Sequence, residues 1–118
     1  MWTTTREALG KTWTVGLWPN DVALGSTDGL GSGLTGSTHI RDQVIAVKAA
    51  GPPDQKDETL LHELLETSFV KMDIPYEEAT INRLTSTLFA FLRGFGLWHE
   101  FPWPDRQENC TQVQERDG

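Results

Sequence analysis

The sequence predicts an α+β fold, a small N-terminal antiparallel sheet packed on two main helices. Three observations carry that reading. Trp13, Val15 and Leu17 alternate with Thr12, Thr14 and Gly16, the two-residue period of a half-buried strand. Val44, Ile45 and Val47 form a second run of strand-favouring residues. Beyond Gly51-Pro52-Pro53 the period changes to that of a helix, broken once by the connection Met72-Asp73-Ile74-Pro75, as far as Gly94.

The elements follow in order. Residues 11–18 form a strand that Pro19-Asn20-Asp21 ends. Residues 22–36 are rich in Gly, Ser and Thr and read as a loop or a pair of weak strands. No helix with a Lys-Ser/Thr pair follows these glycines, which argues against a phosphate-binding loop. Residues 35–40 give a short strand, Arg41-Asp42 a turn and residues 43–49 a better strand. Asp54 is the expected N-cap of a first helix over about 55–70, with Asp57 and Glu58 in early turns where the helix dipole favours acid. Its apolar stripe is Leu60, Leu61, Leu64 and Leu65. A second helix over about 76–93 has Ile81, Leu84, Leu88, Phe91 and Leu92 as its stripe, and Gly94-Phe95-Gly96 ends it. Leu97-Trp98 is expected to pack back on the core. Residues 1–103 read as one domain and 104–118 as a polar, flexible tail.

With 118 residues the chain is long enough for one core without disulfides, and its single cysteine, Cys110, permits none within the chain. A net charge of −7 with scattered basic residues speaks against nucleic acid as a partner. No stretch has the length of a membrane span and the start lacks a signal-peptide core, so the expected location is the cytoplasm.

The chemistry lies in His62-Glu63-Leu64-Leu65-Glu66. Residues four apart on a helix share a face, so His62 and Glu66 point the same way along the border of the leucine stripe. Glu63 lies on an adjoining face, within reach of a metal-bound water. This is the geometry of the His-Glu-x-x-His zinc motif, with Glu66 in place of the second histidine. An acidic, solvated face with a partly buried histidine would give the same string. Glu78 opens the second helix. Two helices joined by a short loop pack antiparallel, which brings Glu78 near Glu66 as a third ligand; Glu77 is its competitor for that role. Acid at a helix N-terminus accounts equally for Glu77 and Glu78.

With Gln43-Val44-Ile45-Ala46-Val47, then Thr59-Leu60-Leu61-His62-Glu63-Leu64-Leu65-Glu66, then Glu78-Ala79-Thr80-Ile81-Asn82-Arg83-Leu84, the chain resembles the small metallopeptidase-like proteins of phages and prophages related to the ImmA/IrrE group. The resemblance covers roughly residues 11–97. It implies a minimal zincin-like domain in which His62, Glu66 and Glu78 hold a metal and Glu63 is the general base for hydrolysis of a protein substrate, in the host cytoplasm if the protein is phage-encoded. Zinc is the first expectation. One nitrogen and two carboxylates make a harder, weaker Lewis-acid site than His-His-Glu, so manganese and iron(II) compete. His39 and His99 are candidate oxyanion donors by residue type alone. The alternatives are a non-catalytic binding or regulatory protein, its partner surface formed by Trp2, Trp18, Trp98 and Trp103, and a structural phage component.

Overall fold

The computed structural model describes residues 2–18 and 36–106. The glycine-rich stretch read as a loop, the turn at Pro19-Asn20-Asp21, Cys110 and most of the expected tail lie outside them. Four strands, β1 (Trp2–Ala8), β2 (Lys11–Trp18), β3 (Gly36–His39) and β4 (Val44–Lys48), precede two helices, α1 (Pro53–Lys71) and α2 (Glu78–Gly94). The architecture is α+β, as expected, with one sheet in the order β1-β2-β4-β3. No helix among the described residues is long and apolar enough to cross a membrane.

The sheet is mixed rather than wholly antiparallel. β1 with β2 and β3 with β4 run antiparallel, but the central pair β2 and β4 is parallel, with Val15 opposite Ile45 and Leu17 opposite Val47. The alternation of a strand fixes which side chains share a face and says nothing of its neighbour's direction. β1 is a strand the apolar pattern does not announce, because its centre is Thr3-Thr4-Thr5. It forms through a two-residue hairpin turn, Leu9-Gly10, with φ of +55° and +72°. Positive φ at both positions is what a tight turn with the twist of its flanking strands needs.

One face of the sheet carries Trp13, Val15, Leu17, Ile45 and Val47, which pack with Leu60 of α1 and with Trp103. On the opposite face Trp18 packs with Ala46 and Val44. Gly16 is required there. A Cβ at this position would stand 2.1 Å from the Trp18 ring.

α1 begins one residue before the expected cap. Pro52 is the N-cap residue, in extended conformation and without a side-chain cap, and Pro53 takes the first helical position. Proline suits that position because its missing N–H has no partner there anyway. Asp54 therefore lies in the first turn, where it pairs with Arg93 at 3.3 Å and Arg106 at 3.0 Å. The leucine stripe of α1 is only partly buried. Leu60 and Leu61 are inside, whereas Leu64 is exposed. α2 lies against α1 and buries Ile81, Thr85 and Phe89. Leu84 and Phe91, expected in its apolar stripe, are exposed.

After α2 the chain returns across the start of α1. Asp57, 1% exposed, accepts hydrogen bonds from Trp98 Nε1 (3.1 Å), Trp103 Nε1 (2.8 Å) and Arg106 Nη1 (2.9 Å), with the Phe101 amide at 3.4 Å. Lys56, also buried, reaches the Gly51 carbonyl at 2.8 Å and Asp105 at 3.0 Å. Residues 104–106 are thus tied to α1. Trp98 packs edge-on against Phe89 at 5.4 Å, while its neighbour Leu97 is exposed. Of the four tryptophans considered for a partner surface, Trp103 and Trp18 are buried, and Trp2 and Trp98 are half-buried. Trp2 lies against the Trp103 and Phe101 rings at 5.7 and 6.3 Å.

Replacing Asp57 by Ala is expected to destabilise the protein by about 3–5 kcal/mol, since Arg106 and two indole N–H groups would lose a buried acceptor. Urea unfolding of Asp57→Ala against wild type measures this, and a change under about 1 kcal/mol would contradict it.

Candidate metal centre

His62 and Glu66 stand one helical turn apart on α1, and the register places both on the side that meets the start of α2. The connecting residues 72–77 are exposed and return the chain so that Glu78 arrives beside them. His62 Nε2 lies 2.6 Å from Glu66 Oε1 and 2.9 Å from Glu78 Oε1. A single ring nitrogen flanked by two carboxylate oxygens has at most one hydrogen to offer them. The same three atoms are one nitrogen and two oxygens, ligand types that bind a divalent cation.

Glu63 comes from the adjoining face of α1 and is 5% exposed. Its Oε1 accepts a 2.8 Å hydrogen bond from the Thr38 hydroxyl of β3. Gly36, on the same strand, leaves room for it. A Cβ there would come within 3.1 Å of Glu63 Oε2 and 2.6 Å of a Thr59 methyl group. His62, Glu63 and Glu66 each place one ligand atom such that all lie within 4.8 Å of one another. Glu63 is therefore near enough to join the donor set itself.

These groups line a cleft of about 760 Å³ between β3 and the two helices, together with Ser37, Glu58, Asn82 and Ser86. Glu77 is the N-cap residue of α2, exposed and outside the cleft lining. His39 and His99 are not among the lining residues either. Three residues that sequence reasoning passed over have roles here. Thr38 and Gly36 belong to a four-residue strand without apolar alternation, which offers no pattern to read. Thr85 is seven residues beyond Glu78, and so on the same helix face. That spacing was available as a signal, but the leucines beside it drew the stripe elsewhere.

Burial, and after it the crowding of carboxylates, sets the electrostatics. Glu66 is pushed up to about 7, first by burial, then by its hydrogen bond with Glu78 and the charges of Glu63 and Glu78, against the opposing pull of His62. Burial also raises Glu63, offset in part by the Thr38 hydrogen bond and by His62. Tyr76 is raised by partial burial and then by Glu66, Glu78 and Glu63, which places its hydroxyl within their field. A cation would relieve this repulsion, and the donor chemistry fits one.

Comparison of the chain with known protein families, with curated proteins and with solved structures gave no match.

The raised Glu66 value has a definite sign. Its folded value of about 7 lies above the model-compound value of 4.5, so the folded protein holds the extra proton between those limits. The stabilisation is present below pH 4.5 and is lost as pH rises through 7. Metal-free protein is therefore expected to lose this contribution between pH 5 and 8, and Glu66→Gln to flatten that part of the profile. Denaturant melts of both proteins across that range test it, and identical slopes would contradict the assignment.

Proposed function

We propose that this chain is a metal-dependent, zincin-like peptidase that hydrolyses peptide bonds in a protein substrate, with His62, Glu66 and Glu78 as metal ligands and Glu63 as general base. The single observation that carries the reading is the convergence of Glu66 and Glu78 carboxylates on His62 Nε2 at 2.6 and 2.9 Å, beside a buried glutamate. The resemblance of the His62–Glu66 helix to phage metallopeptidase-like proteins supports it. A bound cation, zinc first and manganese or iron(II) as competitors, would supply Lewis acidity to the attacking water and the scissile carbonyl.

The chain's own groups account for the remaining steps. Thr38 occupies Glu63 Oε1, which leaves Oε2 to take the proton from the attacking water. As the water oxygen bonds to the carbonyl carbon and the C–N bond breaks, Glu63 returns that proton to the leaving nitrogen. Burial favours such a transfer, since a raised carboxyl is a stronger base than one in water. β3 is an edge strand among the described residues, and Gly36, Ser37 and Thr38 line the cleft. An extended peptide adding to this edge by backbone hydrogen bonds would run past Glu63.

A second reading, a non-catalytic binding protein that keeps the same fold, is favoured by Phe91, Phe95 and Leu97, which are 57%, 73% and 63% exposed.

Elemental analysis of protein purified without chelators or an affinity tag tests the first reading. Stoichiometric metal is expected in wild type and in Glu63→Gln, and none in His62→Ala or Glu78→Ala. Cleavage of a peptide library, followed by mass spectrometry, is expected to fall by about 10²–10⁴-fold in Glu63→Gln. Metal-free wild type after addition of zinc or manganese would overturn the peptidase reading and leave the binding one.

A further inference from the structure

The hydroxyl of Thr85 has one hydrogen, and it is committed to the Ile81 carbonyl one turn back, at 2.7 Å. The oxygen can then only accept. The atom set against it is His62 Nδ1, at 3.4 Å. Thr85 is 3% exposed, so water has little access to either partner. A neutral imidazole carries one hydrogen on one of its two nitrogens. With that hydrogen on Nδ1, it is directed at an oxygen that needs a donor, and the Nε2 lone pair faces the Glu66 and Glu78 oxygens at 2.6 and 2.9 Å, an arrangement that a cation between them, or a proton on one carboxyl, makes favourable. With the hydrogen on Nε2 instead, Nδ1 would face the Thr85 oxygen as one acceptor against another.

We propose that Thr85 is a positioning residue that holds His62 in the Nδ1–H tautomer, and so presents Nε2 as the ligand to a bound divalent cation. The proposal rests on the metal-centre reading and adds to it a group that touches neither the cation nor the substrate. A hydrogen bond at the far nitrogen of a metal-ligating histidine fixes both tautomer and ring orientation, and its loss costs affinity rather than ligand number. Placement on α2 gives Thr85 a second consequence. Glu78 and Thr85 are on one helix, so a single rigid element supplies both a ligand and the group that orients another ligand.

Zinc affinity is measured by competition with a chromophoric chelator at pH 7.5 on wild type, Thr85→Ser, Thr85→Val and Thr85→Ala. Thermal melts of the metal-free proteins are run beside it. Val and Ala are expected to weaken zinc binding by about 10–100-fold, and Ser to stay near wild type. In zinc-loaded protein the His62 Nδ1–H proton is expected to be a protected NMR signal in wild type and Thr85→Ser, and to exchange rapidly in Val and Ala. Two different replacements keep one misfolded variant from deciding the result. Zinc bound as tightly by Val and Ala as by wild type would overturn the role of Thr85 and leave the metal centre standing. Serine as weak as valine would show that the hydroxyl alone does not sustain binding, assign the effect to packing of the whole side chain, and overturn the role as well. Wild type that binds no zinc would overturn both.

Discussion

The buried carboxylate of Asp57 is the constraint on which the rest of the arrangement depends. It sits in the first turns of α1 and gathers donors from Trp98, Phe101, Trp103 and Arg106, all on the segment after α2. Burying a charge is costly unless it is paired and hydrogen-bonded, and here it is both. Among the described residues no buried side-chain nitrogen or oxygen lacks a partner. Because Trp103 is fully buried against Trp13, Val15, Leu17, Ile45 and Val47, the same contact joins the C-terminal segment, α1 and the sheet. The direction of α1 across the sheet is thereby set at its start, and His62 and Glu63 lie about one and a half turns further along it.

That direction decides what α1 meets. The strand order β1-β2-β4-β3 puts β3 at an edge, and β3 lines the cleft with the middle of α1. Glu63 faces Thr38 there, across a gap that only glycine at position 36 leaves open. On its other flank α1 meets α2, and the turn at residues 72–77 fixes how far along α1 Glu78 arrives. The cleft is therefore bounded by three elements, each held for a reason apart from chemistry: strand pairing, helix packing and the Asp57 clamp.

How much of this was legible in the sequence depends on which physical rule fixes each part. Side-chain alternation identified β2 through Trp13, Val15 and Leu17, and helical spacing placed His62 and Glu66 on one face. The antiparallel return of α2 toward α1 followed from a short connection. Strand direction was not legible, because pairing is a matter of tertiary packing; nor was β1, whose threonines form a strand through the Leu9-Gly10 turn. The face of α2 was read from Leu84 and Phe91, yet Thr85 is buried in their place, since it lies against His62. Asp57 read as acid favoured near a helix start. Its donors are more than forty residues away, at Trp98 to Arg106, and no local pattern links them.

The carboxylates of the site carry the opposite energetics to Asp57. Asp57 is surrounded by donors, and its charge is balanced by Arg106 at 2.9 Å. Glu63, Glu66 and Glu78 gather around a single imidazole, and Glu66 is driven toward neutrality first by burial and then by its hydrogen bond with Glu78 and the neighbouring charges. A protein gains no stability from gathering three acids that repel, and nearby Lys56 and Arg93 are engaged with Asp105 and Asp54 instead. Among the described residues the buried side-chain polar atoms are matched, and the repulsion between these acids lies in one cleft. Perturbed acids gathered in a cleft are the arrangement functional sites use. On the reading proposed above, a cation held between these oxygens and His62 Nε2 would relieve the repulsion.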